Sequence, residues 1–196
     1  MSAFFFIYIG NLLNYIDRGV VSTLLPTFET QFDLNKVEQG LIASSFMIGY
    51  SICSLLFTYL SNRYCSKKLL IFGNIVWCIS ALCMLTANDK NIIIIARSLS
   101  GVGEAAYQSL IPRMLNEHYG ELNGSKKTSI FYTAITIGTA IGLLSGGFCS
   151  IHTWRYLYLF ECLLGIVVTI GQYRTFNYTP ILQGDVSTGN FYSYNS

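Results

Sequence analysis

The stretch FFFIYIGNLLNYIDRGVVSTLLP, Phe4 to Pro26, is apolar enough to enter lipid and yet carries Asn14-Tyr15-Ile16-Asp17-Arg18-Gly19 at its middle. Translocon scales place an Asp or Arg near a helix centre at about +2.5 to 3.5 kcal/mol, so charges at that depth face a polar cavity or a partner. The stretch therefore predicts a membrane-crossing helix that lines a solute pathway. Phe4 to Gly10 is similar to the apolar part of a secretory signal, but no basic segment precedes it and no small-residue cleavage site follows before Asn14. Retention as a mature helix is expected.

The rest of the chain agrees with that reading. Of its 196 residues 52% are hydrophobic and only 11% charged, against about 25% charged in soluble domains; mean hydropathy is +0.46. A net charge of +2 with no dense Lys/Arg tract sets nucleic acid aside. The expected class is an all-α, polytopic transmembrane helix bundle in contact with a lipid bilayer. With roughly 20 apolar residues per crossing, six segments qualify: 3–26, 40–60, 69–87, 91–112, 128–150 and 155–174. Residues 1–174 form one six-helix domain, and residues 175–196, polar and without Lys or Arg, read as a disordered tail or the start of a linker.

Cys53, Cys65, Cys78, Cys83, Cys149 and Cys162 lie mostly within the spans and never at a C-x-x-C spacing, so they read as small packing residues. His118 and His152 fall in different loops without clustered ligands. Neither a metal nor a cofactor is expected. Membrane-embedded enzyme chemistry lacks a nucleophile and base pair.

Loops on the side of the N-terminus carry Arg63, Lys67, Lys68, Arg113, Lys126, Lys127 and Arg174, whereas the other side carries Lys36, Lys90 and Arg155. The positive-inside rule puts both termini in the cytoplasm. Pro26 should close the first span, and Asn88-Asp89-Lys90-Asn91 should be a tight connection. Residues 113–127 should form an exposed cytoplasmic loop, with room for a short amphipathic helix.

The fourth span holds a second set of charges, in Ala96-Arg97-Ser98-Leu99-Ser100-Gly101-Val102-Gly103-Glu104-Ala105-Ala106-Tyr107. Arg97 and Glu104 are two turns apart on nearly one face, with Tyr107 three residues beyond Glu104. At a rise of about 1.5 Å per residue, Asp17 lies roughly 13 Å and Arg97 roughly 9 Å from the outer surface, with Glu104 deeper at roughly 20 Å. An Asp17 to Arg97 ion pair follows. Such a set either serves a solute or is a satisfied interhelical network; the first is favoured because apolar replacement of a buried pair is often neutral or stabilising.

Glu161 lies in the sixth span without an evident partner, and it is either a proton site or a protonated, cavity-edge residue with no coupling role. Gly138, Gly142 and Gly146 recur at four-residue spacing in the fifth span. They permit close helix packing, static or gating.

Three pieces, Asn14 to Gly19, Arg97 with Gly101-Val102-Gly103-Glu104-Ala105, and Phe131-Tyr132 before the glycine-rich span, resemble the Spinster branch of the major facilitator superfamily over residues 11–155. The resemblance implies the N-terminal six-helix half of a transporter, built from two inverted three-helix repeats that make the first and fourth spans equivalent cavity-lining helices. It also implies a gating loop between the second and third spans, of the form Gly-x-Leu-x-Asp-Arg-x-x-x-Lys. Here Asn62 stands in place of the Asp and Thr58 in place of the Gly, with Arg63 and Lys67 retained.

By resemblance the solute is lipid-like, such as a lysophospholipid or sphingoid phosphate, moved by alternating access with or without protons in an endolysosomal or plasma membrane. Asp17, Arg18, Arg97, Glu104 and Tyr107 would line the pathway, Arg97 meeting the anionic head group or Asp17 and Glu104 binding a proton or gating. Activity would need a second six-helix half, from the same gene or another chain. The alternative is a non-transporting membrane interaction protein or degenerate remnant, suggested by Asn62 and the single half.

Overall fold

The structure, a computed structural model, describes residues 3–149 and 153–175. They form six helices: α1 (Ala3–Phe32), α2 (Lys36–Leu60), α3 (Ser66–Leu85), α4 (Lys90–Tyr119), α5 (Glu121–Gly147) and α6 (Trp154–Thr175). Among the described residues there is no strand. The tail expected beyond residue 175, and His152, lie outside the described residues.

Helices α2, α3, α5 and α6 are each long and apolar enough to cross a membrane, whereas α1 and α4 fall short of that measure. The reason is their polar content: Asn11, Asn14, Asp17 and Arg18 on α1, and Arg97, Ser98, Ser100, Glu104 and Gln108 on α4. Their polar residues are sheltered: Asn11, Asn14, Asp17, Arg97, Ser100 and Glu104 are all buried. Six crossings remain the reading, four carried by apolarity and two by the company they keep.

Two expected boundaries were wrong. Pro26 does not end α1, which runs six residues further, and Pro112 lies inside α4. A proline inside a helix costs about 3 kcal/mol. Beyond Pro26, Phe28 is wholly buried and meets Trp154 edge-on at 5.1 Å; beyond Pro112, Met114 and Leu115 are wholly buried. Each such side chain contributes about 1.5 to 3 kcal/mol, enough to hold the helix through the break. The expected loop at 113–127 is accordingly almost all helix, broken only at Gly120, whose φ of +76° suits a residue without Cβ.

Polar residues fix the starts of α2, α4 and α6. Asn35 caps α2 by a reciprocal pair with Glu38, both bonds 2.9 Å. Glu38 also binds Lys90 at the start of α4, at 2.5 Å. Arg155 Nη2 donates to the Ala87 carbonyl at 2.6 Å, tying α6 to the connection before α4.

Packing is crosswise. Helix α1 lies mainly on α5, α4 mainly on α2, and α3 lies on both α4 and α6. Each three-helix unit therefore leans its first helix on the second helix of the other, the arrangement expected of two inverted repeats. Glycines permit both crossings. A Cβ on Gly142 of α5 would stand 2.9 Å from Gly19 Cα of α1, and one on Gly138 would stand 2.8 Å from Tyr15 Cβ. On the opposite side a Cβ on Gly101 of α4 would stand 2.9 Å from the Tyr50 nitrogen of α2.

Candidate functional site

Helical periodicity puts Asn11, Asn14, Tyr15 and Arg18 along one stripe of α1, and Arg97, Ser100, Gly101, Glu104 and Gln108 along one stripe of α4. The stripes meet. Arg97 Nη1 donates to Asp17 Oδ2 at 2.7 Å, with side-chain exposures of 5% and 4%. The expected ion pair is present.

A second pair, not foreseen, joins Arg18 Nε to Glu104 Oε2 at 2.6 Å. The Ser100 hydroxyl stands between them, 2.8 Å from Asp17 Oδ2 and 3.4 Å from Glu104 Oε1. Two adjacent residues of α1 thus take opposite-signed partners on α4, and one serine links the pairs. Below them Gln108 Nε2 donates to Asn11 Oδ1 and Tyr15 Oη, both at 3.1 Å.

Aromatic faces complete the wall. The Arg18 guanidinium lies over Tyr15, Phe46 and Tyr50, at 4.8, 4.6 and 5.1 Å from the ring centres. Arg97 lies over the same Phe46 ring at 4.9 Å. Ring faces stabilise a desolvated guanidinium by about 2 kcal/mol. Of the four charges only Arg18 is partly exposed, with 27% of its side chain accessible. Arg18 Nη2 and Arg97 Nε have no hydrogen-bond partner.

Tyr107 turns elsewhere. Its hydroxyl accepts from Gln172 Nε2 at 2.7 Å, and Gln172 Oε1 accepts from Asn74 at 2.6 Å, a separate network joining α3, α4 and α6. Glu161 is buried on α6 with both carboxyl oxygens unpartnered. Gly138, Gly142 and Gly146 abut α1 directly beside the site, at Leu12 to Ile16, Gly19 and Val20 to Thr23.

In the connection between α2 and α3, Asn62 Oδ1 accepts from Arg113 Nη1 at 3.0 Å, while Arg113 Nε holds Glu117 at 2.7 Å. Lys67 Nζ donates to the Tyr173 carbonyl at 2.9 Å, and Arg63 lies over the Tyr59 ring at 5.2 Å. The amide at Asn62 retains the acceptor that an aspartate would supply, without its charge. Among the described residues no group of His, Cys, Asp and Glu could hold a metal ion.

Ser100, Phe46, Tyr50, Asn11 and Gln108 were missed by sequence reasoning. The 3 and 4 residue spacing of Arg97, Ser100, Glu104 and Gln108 could have found two of them. No sequence signal separates Phe46 and Tyr50 from other aromatics facing lipid.

The Major Facilitator Superfamily model matches residues 7–180. Protein spinster of Drosophila melanogaster is 30% identical over 159 residues, covering 80% of this chain and 26% of its own length. A probable sphingolipid transporter, spinster homolog 3 of Arabidopsis thaliana, is 31% identical over 172 residues, covering 79% of this chain and 33% of its own length. The chain thus spans about a quarter to a third of these relatives. Its fold is similar to the crystal structure of a bacterial homolog to the human lysosomal transporter Spinster in an inward-facing, occupied conformation: TM-score 0.77, 18% identity, 90% of this chain and 44% of that one.

Proposed function

The chain belongs to the major facilitator superfamily, a family of membrane transporters rather than enzymes, and on that premise we propose that it is the N-terminal six-helix part of a secondary transporter for a lipid-like amphiphile with an anionic head group. The observation that carries this reading is the Arg18 guanidinium. It is held by Glu104 on one side and three rings on the other, with part of the side chain exposed at one edge. A phosphate on that edge would gain charge-assisted hydrogen bonds, and the rings would shelter the first methylenes of an acyl or sphingoid chain. The relative named as a probable sphingolipid transporter supports the same solute class.

Alternating access follows from the fold class, with a second six-helix half closing over the α1 and α4 stripes. Both termini belong on the cytoplasmic side, supported by the basic loops at Arg63 to Lys68, Arg113 and Lys126 to Lys127. A non-transporting membrane protein is the competing reading, favoured by Asn62, which leaves Arg113 without an acid from the α2–α3 connection.

Reconstitution in proteoliposomes, with the second six-helix half that closes over α1 and α4 supplied, decides between them. Uptake of a labelled lysophospholipid that is lost in Asp17→Ala and Arg97→Ala, both still folded, is the expected result. Uptake by the wild type that survives both substitutions, or no uptake across a panel of anionic and zwitterionic lysolipids, would overturn the transporter reading.

A further inference from the structure

The outward faces of α3 and α6 end alike. On α3, Phe72, Ile75, Ile79 and Leu82 are exposed at spacings of three and four, one stripe of a helix, and four residues before Phe72 stands the exposed Lys68. On α6, Leu163, Val167 and Ile170 make a stripe of the same kind, and four residues after Ile170 stands the exposed Arg174. The inward face of α3 is occupied, with Gly73, Asn74, Trp77 and Cys78 buried where α3 lies on α4 and α6.

The two helices are tied at that end. Lys67 Nζ donates to the Tyr173 carbonyl at 2.9 Å and lies 5.3 Å from the centre of its ring. Lys68 and Arg174 follow these two residues directly in the chain, so two cations are brought to one end of a two-helix apolar face. No carboxylate answers them. The sequence has no Asp or Glu from Leu41 to Ala87 or from Cys162 to Thr175, and neither cation enters an ion pair among the described residues. At the opposite end of α6 the basic residue is already engaged, Arg155 donating to the Ala87 carbonyl.

The helical rise carries Phe72 to Leu82 over about 15 Å, the depth of one leaflet in a hydrocarbon core about 30 Å thick. Any acyl chain can cover such a stripe. Unanswered cations at one end of it select the head group, because each Lys or Arg at an anionic surface strengthens binding about fivefold.

We propose that this end of the α3–α6 face is a docking site for an anionic phospholipid of the cytoplasmic leaflet, its phosphate between Lys68 and Arg174 and its chains along the two stripes. The side is the one marked by the basic loops. Tyr64 and Tyr173, both exposed there, suit the level of the head groups. The site stands on the outside of the bundle, on helices other than α1 and α4. A lipid docked there is a fixture of the fold and not its cargo, and the proposal does not depend on transport.

Native mass spectrometry of the full chain, released from nanodiscs of equal parts phosphatidylserine and phosphatidylcholine, tests it. Wild type is expected to retain phosphatidylserine in preference, and Lys68→Gln with Arg174→Gln to lower that preference at least about fivefold. Lys68→Arg with Arg174→Lys, which keeps both charges, should keep the preference, as should Lys126→Gln, which removes an exposed cation at the start of α5. Inorganic phosphate at matched ionic strength should not displace the lipid, since it has no chains to lay along the stripes.

Equal retention of the two lipids by the wild type would overturn the proposal, as would a preference that survives the double Gln variant. Loss of the preference in Lys126→Gln would show general surface charge in place of a site, and displacement by phosphate would rule out the lipid as occupant.

Discussion

Arg18 of α1 and Glu104 of α4 meet at 2.6 Å with unequal shelter, 27% of the arginine side chain exposed and only 1% of the glutamate. Loss of the arginine would leave an enclosed carboxylate, while loss of the glutamate would leave a cation that is still partly exposed. The single substitutions should therefore differ: Arg18→Ala should destabilise by about 3 to 5 kcal/mol and Glu104→Gln by less. Thermal unfolding in detergent micelles, run as a double-mutant cycle, should give a coupling of about 0.5 to 3 kcal/mol. A coupling near zero would mean the two side chains do not depend on each other.

The α1–α5 crossing makes a sharper demand. Gly142→Val should destabilise by about 1 to 3 kcal/mol or more, because its side chain would be driven into the backbone of Ile16 and Gly19. Gly147→Ala is the matched control, since nothing lies within 4 Å of a Cβ there. Equal melting temperatures for the two variants would contradict the packing described.

Asn62→Asp should give Arg113 a second carboxylate in competition with Glu117. The site is exposed, so stability should change by no more than about 1 kcal/mol. The informative measurement is lysolipid flux: a change in rate without a change in affinity would assign this connection to gating, and an unaltered rate would remove it from the mechanism.

The link between Glu38 and Lys90 fixes α2 to α4 outside the spans. Lys90 holds the Glu38 carboxyl below its usual range, and Glu38 holds the Lys90 ammonium above its own. A lowered acid stabilises above its unfolded pKa of about 4.3 and loses that contribution as pH falls through the folded value. A raised lysine stabilises below about 10.4 and loses its contribution as pH rises through the folded value. Wild type should therefore differ from Lys90→Met by a constant melting temperature between those limits, the gap closing in acid and in strong base. A gap that persists in acid would show that the pair is not its source.

That Asp17 and Arg97 stand at one level was legible because charge is rare in apolar segments and the helical rise converts residue number into height along each helix. Direction around the axis was not. Asp17 and Arg18 are neighbours in the chain but about 100° apart on the helix, so the Arg18–Glu104 pair depends on a rotation that no residue count supplies. Tyr107 was set beside Glu104 for the same reason; an offset of about 60° sends it to Gln172 instead. At Pro26 and Pro112 the local rule was correct about cost and silent about Phe28, Trp154, Met114 and Leu115, which outweigh it.

Crosswise packing also bears on how the protein is made. Asp17 and Arg97 are 80 residues apart, and α1 finds most of its cover on α5, near the end of the fold. During synthesis α1 must wait beside the ribosome's exit into the membrane with its aspartate and arginine unmatched, and four more helices must be threaded before its flank is closed. Insertion helix by helix into open lipid is thus disfavoured; the nascent bundle should be retained by the insertion machinery until α5 arrives.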